Sequence, residues 1–230
     1  MQFKKIVGFG DSWIWGDELI DPSLNNAQPG HNENILYRET NCFIGQLGQY
    51  YQVPTQNFGI PGGSLQSTIW NYLWWLDNEA VDVNECLVLI GLTDASRISF
   101  YNPKHDTNND RPWAKYVHSA WATGYSKEWS DTIKQVIVQA DSKQQHQLNY
   151  RQTVEFFSGQ SAKRSGLLFQ FCTITPPCLV TDSSLLWSNK SLTNLIATQP
   201  NTLAKNGHPN ELGHSLIAKH LISHIDSCIM

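Results

Sequence analysis

The chain has 230 residues, enough for one large domain with a substantial apolar core. Its formal net charge is −4, and no run of lysine and arginine forms a basic stripe, so nucleic acid is excluded as an expected partner. No apolar run approaches the roughly 18 residues that a membrane-spanning helix needs, so no membrane span is expected.

The elements follow one another in an order that favours a single α/β domain, because apolar runs alternate with segments of helical period. The predicted strands are residues 5–10, 55–60, 85–92 and 166–172. The predicted helices are residues 39–52, 65–80 and 210–225. Ser64 is expected to cap the second helix. The last helix repeats apolar side chains at helical spacing, namely Leu212, Leu216, Ile217, Leu221 and Ile225.

The pattern changes between residues 97 and 165. An Asn/Asp-rich stretch is followed by closely spaced aromatic residues and then by a polar helical stretch. The aromatic residues are Trp113, Tyr116, Trp121, Tyr125 and Trp129. Because this region has no apolar core of its own, we interpret it as an aromatic-rich insertion within one domain that spans residues 1–230. The sequence leaves the oligomeric state open.

The cysteines indicate the redox environment. They are Cys42, Cys86, Cys172, Cys178 and Cys228. Their number is odd and no Cys-x-x-Cys pair occurs, which is typical of a reduced intracellular protein. The N-terminal apolar stretch stops at Asp11, too short for the core of a signal peptide. We therefore expect a cytoplasmic protein.

The first strand is followed at once by Asp11 and Ser12. A serine is a weak nucleophile at neutral pH and needs a base to take its proton. An equally good interpretation is that Asp11 and Ser12 only cap a helix that begins near Trp13. The glycines at positions 8 and 10 also suggest a dinucleotide loop. However, Trp13 occupies the place of the third glycine, and Asp11 would repel a pyrophosphate, so we reject that reading.

A histidine at the other end of the chain is the natural partner for Ser12. His208 precedes Pro209 just before the last helix, and the two residues can meet if a parallel sheet brings strand ends and loops to one edge. Histidines at helix starts are nevertheless common and usually inert. His214 falls inside the helix and is expected to be structural. A zinc site is not expected, because the two histidines lie on different helical faces and lack acidic or cysteine partners.

Two further segments end predicted strands. The first is the turn from Asn57 to Ser64, with Gly62 near its middle, which exposes backbone N–H groups at a helix start. The second is Gly91-Leu92-Thr93-Asp94, which carries polar side chains to the same edge. Each segment alone is also an ordinary packing or loop feature.

Together, the Gly-Asp-Ser, Asn-to-Gly, Gly-x-x-Asp and His-Pro segments resemble the SGNH (GDSL-like) hydrolase family over nearly the whole chain. The resemblance implies a three-layer α/β/α sandwich with a flavodoxin-like central parallel sheet. It assigns the nucleophile to Ser12, the base to His208, and the oxyanion hole to Ser12, Gly62 and Thr93. It implies no metal and no organic cofactor.

The resemblance also marks Asp11, Trp13 and Asp94 as candidate substrate contacts. Two departures from the family pattern stand out. Thr93 replaces an asparagine that donates to the oxyanion, and Lys205 replaces the aspartate three residues before the histidine. Asn206 and Asp182 are the candidates to orient His208 instead.

The function that this resemblance implies is hydrolysis of an ester, with removal of a small acyl group such as acetyl from a carbohydrate or a similar alcohol. The aromatic residues between 113 and 129 fit a sugar-stacking surface, although such stripes are more often core. Two alternatives remain open at this stage. One is a catalytically silent module of the same fold that binds a glycan or a protein partner, and the other is acyl transfer to an acceptor.

Overall fold

The computed structural model describes residues 3–25, 27–79, 82–95, 97–99, 116–117, 143–163, 168–173 and 191–229. Its strands are β1 (Lys5–Gly10), β2 (Thr55–Gly59), β3 (Cys86–Leu92), β4 (Ile98–Ser99), β5 (Tyr116–Val117) and β6 (Leu168–Cys172). Its α-helices are α1 (Ser12–Trp15), α2 (Ile35–Asn41), α3 (Phe43–Tyr51), α4 (Leu65–Asn78), α5 (Lys143–Ala162), α6 (Leu192–Ile196) and α7 (Glu211–Ile229). Cys178, Asp182 and the aromatic residues Trp113, Trp121, Tyr125 and Trp129 lie outside the described residues.

Four parallel strands form the central sheet in the order β2-β1-β3-β6. Strand β1 therefore lies between the strands that follow it in sequence, and the chain changes direction across the sheet there. Such a switch point opens a crevice at the carboxyl ends of the two strands that flank it, here β1 and β3. The short strands β4 and β5 pair with each other, antiparallel.

Successive side chains along each buried strand point to opposite faces of the sheet, so the apolar side chains form two clusters, one on each face. Ile6, Leu87 and Leu89 point to the face that α2, α3, α6 and α7 cover. Val7 and Val88 point to the face that α4 and α5 cover. Helices on both sides of a parallel sheet make the three-layer α/β/α sandwich, so the predicted fold class is confirmed.

Helix α5 corrects the extent of the predicted insertion. Its residues Tyr150, Val154 and Phe157 are buried against the sheet together with residues of α4. Residues 143–162 are therefore part of one helical layer and not an addition to it. Among the described helices, none is long and apolar enough to cross a membrane.

The helix predicted over residues 39–52 is wrong in one respect, because it is two helices that meet at Cys42. This residue has an extended backbone, with φ −66° and ψ 156°. The N–H of Phe43 donates to Nδ1 of His214 at 3.3 Å instead of continuing the helical ladder. A partner 171 positions away in sequence thus breaks the helix.

The remaining helix predictions hold closely. Ser64 caps α4 in a capping box with Ser67. The Ser67 N–H donates to the Ser64 hydroxyl oxygen, and the Ser64 N–H donates to the Ser67 hydroxyl oxygen. The last helix begins one residue later than predicted and runs on to Ile229. Leu212 is 49% exposed, contrary to its place in the predicted apolar stripe. Ile217 lies five positions further along the helix, so Leu212 points about 140° away from that buried side chain.

Candidate active site

Ser12 and His208 meet at the carboxyl end of the sheet. Ser12 is the first residue of α1, directly after β1, and its Oγ lies 2.9 Å from Nε2 of His208. The imidazole is held by the loop before α7 and keeps 22% of its side chain exposed. A hydroxyl and a ring nitrogen that are 196 positions apart in sequence thus share a hydrogen bond.

Asp11 acts as the cap of α1, so the capping interpretation and the nucleophile interpretation of this segment are both compatible with the structure. Its Oδ1 accepts from the N–H of Trp13 at 3.0 Å, and its Oδ2 accepts from the Thr173 hydroxyl at 2.8 Å. Arg97 lies 3.4 Å from the same Oδ2. Asp11 and Trp13 are both buried, which argues against the prediction that they contact substrate, whereas Asp94 is exposed.

Glu18 occupies the position of the orienting acid, and sequence reasoning missed it. Its Oε2 lies 3.1 Å from Nδ1 of His208. Asn206 donates to the Glu18 carboxylate through its side-chain amide at 2.7 Å and through its backbone N–H. The expectation that Asn206 orients the imidazole directly is therefore corrected: Asn206 holds the carboxylate that orients it. The other candidate, Asp182, lies outside the described residues.

A reversal of the chain after α1 brings Glu18 to this place. Helix α1 has a single turn, and it ends at Gly16 in the left-handed region with φ 84°. The N–H groups of Gly16 and Asp17 both donate to the carbonyl of Ser12 at 3.0 Å. Glu18 itself has φ 65°, which costs a non-glycine residue about 1 kcal/mol or more. As a result, residues 12 and 18 face the same imidazole.

Asn34 holds the backbone that follows Glu18. Its side chain is buried; its amide nitrogen donates to the carbonyl of Leu19 at 2.8 Å, and its amide oxygen accepts from the N–H of Asp21 at 2.8 Å. Leu19 is buried in the core. These bonds fix the backbone directly after Glu18, at Leu19 and Asp21, and so support the strained backbone of Glu18.

A second carboxylate faces the other ring nitrogen. Oδ2 of Asp17 lies 3.7 Å from Nε2 of His208, and Oδ1 of Asp17 accepts from the N–H of Glu18 at 3.1 Å. Burial raises the pKa of Asp17, and the charge on His208 opposes that rise in part. His208 therefore lies between two carboxylates, one near each nitrogen.

The turn after β2 lies against the end of β1. The N–H of Ile60 donates to the carbonyl of Gly10 at 2.9 Å. The N–H of Gly63 donates to the carbonyl of Ile60 at 2.8 Å and so closes a β-turn. Gly62 has φ 71°, which suits the third position of a type II turn with Pro61 before it. This geometry leaves the N–H of Gly62 without a partner in the part of the chain that the structure describes.

Thr93 follows β3 and is buried, with an Oγ1 that has no hydrogen-bond partner within the described residues. Buried hydroxyl groups usually find a partner, so such an atom calls for an explanation. Gly62 and Thr93 follow the strands on either side of β1, the strand that leads to Ser12. The three positions assigned to an oxyanion hole thus follow three adjacent strands.

His214 has a structural role, as expected. It is buried, its ring stacks on Phe43, and its Nδ1 accepts from the Phe43 N–H. Burial lowers its pKa to about 3. Among the described residues, no group of three histidine, cysteine, aspartate or glutamate side chains is arranged to hold a metal ion.

Comparison with known proteins gives matches among solved structures alone. No protein-family model and no curated protein matches the chain. A carbohydrate esterase whose active site displays divergent catalytic and non-catalytic binding functions matches 99% of the chain with TM-score 0.51 and 13% identity. The chain spans 66% of that enzyme's length.

Two further solved structures are similar over nearly the whole of both chains. LAE5, an α/β hydrolase enzyme from the metagenome of Lake Arreo, Spain, has TM-score 0.50 and 13% identity, with 97% of this chain and 96% of LAE5 covered. A member of the lipolytic G-D-S-L family from Veillonella parvula has TM-score 0.40 and 14% identity, with 95% and 96% covered. At these identities the first two likenesses establish a shared fold.

Proposed function

We propose that this protein is an SGNH-type serine ester hydrolase with Ser12 as nucleophile, His208 as base and Glu18 as orienting acid. One observation carries the proposal. Two hydrogen bonds connect the three side chains: Ser12 Oγ lies 2.9 Å from His208 Nε2, and His208 Nδ1 lies 3.1 Å from Glu18 Oε2. Nucleophile, base and acid in this order are the arrangement that activates a serine for acyl transfer.

The first half-reaction forms an acyl-enzyme. Ser12 Oγ attacks the acyl carbon, its proton passes to Nε2 of His208, and the carbonyl electrons move to the oxygen. When the tetrahedral intermediate collapses, the bond to the leaving alcohol breaks and Nε2 returns the proton to the departing oxygen. The acyl group is then bonded to Ser12.

The second half-reaction repeats these steps with water. His208 takes a proton from the water that attacks the acyl carbon, and then gives a proton to Ser12 Oγ as the carboxylic acid leaves. Throughout, Glu18 accepts a hydrogen bond from the N–H at Nδ1, which fixes the tautomer that leaves Nε2 free and stabilises the imidazolium ion.

The oxyanion of each tetrahedral intermediate needs donors that are in place beforehand. We assign this role to the backbone N–H groups of Ser12 and Gly62 and to the hydroxyl of Thr93. The N–H of Gly62, which has no partner among the described residues, supports the assignment. So does the buried Thr93 hydroxyl, which lacks a partner among the described residues.

The substrate class that fits best is a small acyl ester, such as an acetyl ester, of a carbohydrate or a similar alcohol. The likeness in fold to a carbohydrate esterase supports it. The silent-module alternative rests on two departures from the family pattern, Thr93 in place of an asparagine and Lys205 in place of an aspartate. The contact between Glu18 and Nδ1 of His208 supplies an acid and answers the second departure, whereas the first is left to the Thr93→Val experiment. A cytoplasmic location stays a prediction.

The test is hydrolysis of p-nitrophenyl acetate by the purified protein. We expect hydrolysis well above the buffer rate, and loss of at least 10³-fold in Ser12→Ala and His208→Ala. Ser227→Ala, which changes a serine near the end of α7, serves as the matched control and should keep full activity. Hydrolysis that is unchanged in Ser12→Ala would contradict the proposal. Product formed on an added sugar acceptor would indicate acyl transfer.

A further inference from the structure

Among the described carboxylates near His208, Asp17 is the one that the mechanism leaves without a role. Glu18 already orients the imidazole through Nδ1, and Ser12 already occupies Nε2 at 2.9 Å. Oδ2 of Asp17 is 3.7 Å from that same Nε2, too far for a good hydrogen bond. Asp17 therefore does not set the orientation of the ring.

The two oxygens of Asp17 are not equivalent. Oδ1 is fixed by the N–H of Glu18 at 3.1 Å. Oδ2 has no hydrogen-bond partner within the described part of the chain, and the Asp17 side chain keeps 25% of its surface exposed. Burial also raises the pKa of this carboxyl, so a donor that approached Oδ2 would relieve a cost of desolvation. Oδ2 is thus an open acceptor on the reacting side of His208.

The mechanism places the leaving alcohol beside this acceptor. Nε2 must hand its proton to the departing oxygen, which requires the two atoms to lie about 3 Å apart. Since Oδ2 of Asp17 is 3.7 Å from Nε2, a leaving alcohol that approaches Nε2 from the side of Asp17 brings the carbon next to its ester-bearing carbon within reach of Oδ2.

We propose that Asp17 selects the leaving alcohol. It accepts a hydrogen bond from a hydroxyl on the carbon next to the one that carries the ester, and its charge repels an anionic leaving group. The substrate class is then the monoester of a vicinal diol, such as a polyol or a sugar. This inference rests on the proposed esterase function and adds a specificity-determining residue to it.

Three acetate esters with leaving groups of similar size test the inference: ethyl acetate, 2-hydroxyethyl acetate and acetoxyacetate. For the unaltered protein, we expect kcat/KM for 2-hydroxyethyl acetate to exceed that for ethyl acetate by about tenfold, as one hydrogen bond to a charged group provides. Acetoxyacetate should be the poorest of the three, since its carboxylate would approach Asp17.

Asp17→Asn sharpens the test. The Glu18 N–H holds the amide oxygen in the Oδ1 position, so the NH₂ group replaces Oδ2 and turns the acceptor into a donor. We expect the preference for 2-hydroxyethyl acetate over ethyl acetate to fall to about one, and the rate for acetoxyacetate relative to ethyl acetate to rise at least tenfold. Asp21→Asn removes a charge four residues away, at a side chain that accepts from Ser23, and should leave both ratios unchanged.

The outcomes separate the two claims. If the unaltered protein cleaves ethyl acetate but shows no preference for 2-hydroxyethyl acetate, the inference is overturned and the esterase function stands. The same holds if Asp17→Asn leaves both ratios as they were. If the unaltered protein cleaves none of the esters, both the function and the inference fail. Because the first comparison needs only the unaltered protein, it does not depend on how the variant folds.

Discussion

His208 and His214 are six positions apart in sequence and lie in opposite environments. His208 stands in a loop, partly exposed, and both its ring nitrogens have polar neighbours: Ser12 and Asp17 at one, Glu18 at the other. His214 is buried inside α7 against Phe43. The two histidines differ in role because they differ in their neighbours. In the proposed mechanism the charged partners of His208 suit it to proton transfer, whereas burial keeps His214 neutral.

The largest effect is expected when the carboxylate charge of Glu18, which faces Nδ1 of His208, is removed. Glu18→Gln keeps the size of the side chain but loses the carboxylate that stabilises the imidazolium ion. We predict a fall in kcat of about 10³–10⁴-fold for p-nitrophenyl acetate. His214→Asn is the matched control; it should keep kcat within about threefold, because the ring of His214 is bound to Phe43 and not to the site. A kcat unchanged in Glu18→Gln would remove Glu18 from the mechanism.

The next test concerns Thr93, a proposed donor to the oxyanion. Thr93→Val keeps the shape of the side chain and deletes a buried hydroxyl that lacks a partner among the described residues. We predict a loss in kcat of about 10²-fold, with a free energy of unfolding that is unchanged or about 1 kcal/mol higher. Urea unfolding and kinetics on the same preparation check both halves. A loss of stability with kcat unchanged would mean that the hydroxyl serves packing and not the oxyanion.

A third prediction concerns His214 and the way the free energy of unfolding depends on pH. The pKa of His214 in the folded protein is about 3, below the value of about 6.5 in an unfolded chain. Between these values the unfolded state binds one more proton. This histidine therefore lowers stability as the pH falls below 6.5, by about 1.4 kcal/mol per pH unit.

Urea unfolding between pH 7 and pH 4.5 measures that slope. We predict that His214→Asn, which retains an acceptor for the Phe43 N–H, is less stable at pH 7 but loses stability less steeply as the pH falls. Other groups titrate in both proteins, so the difference between the two slopes is the quantity to compare. Equal slopes would contradict a buried neutral His214.

The smallest expected effect concerns Asn206, which donates to Glu18 through both its side chain and its backbone. Asn206→Ala removes the side-chain bond and leaves the backbone N–H of Asn206 and that of His208 in place. We predict a fall in kcat of about three- to tenfold, as expected for one hydrogen bond to a charged group. If the loss equalled that of Glu18→Gln, Asn206 would have a more direct part than the one assigned here.

The sequence predicts much of the fold because its strands and helices are regular. Short apolar runs gave the four strands of the central sheet, and the Ser64 cap gave the start of α4. What failed depends on contacts between distant residues. The break at Cys42 arises from the bond between Phe43 and His214, and no local pattern records it.

The candidate site also has residues that a local sequence pattern predicts and one residue that depends on distant contacts. Ser12 and His208 are marked by short motifs, whereas Glu18 has no fixed spacing from the histidine that it contacts. Its position follows from the reversal at Gly16 and from the donors that Asn206 and His208 supply. The useful signal was local to the nucleophile: a one-turn helix, a glycine, and then two adjacent acids. The residues just before His208 predict Asn206 as its partner, and Asn206 belongs to the same hydrogen-bond network but donates to Glu18 instead.

Covalent labelling can show whether Ser12 is a nucleophile that His208 and Glu18 activate. The protein is treated with diethyl p-nitrophenyl phosphate, which phosphorylates activated serines, and the modified peptide is mapped by mass spectrometry. We predict one diethylphosphoryl group, on Ser12, with labelling abolished in His208→Ala and strongly slowed in Glu18→Gln. A label on another serine, or labelling of Ser12 at the same rate in all three proteins, would contradict it.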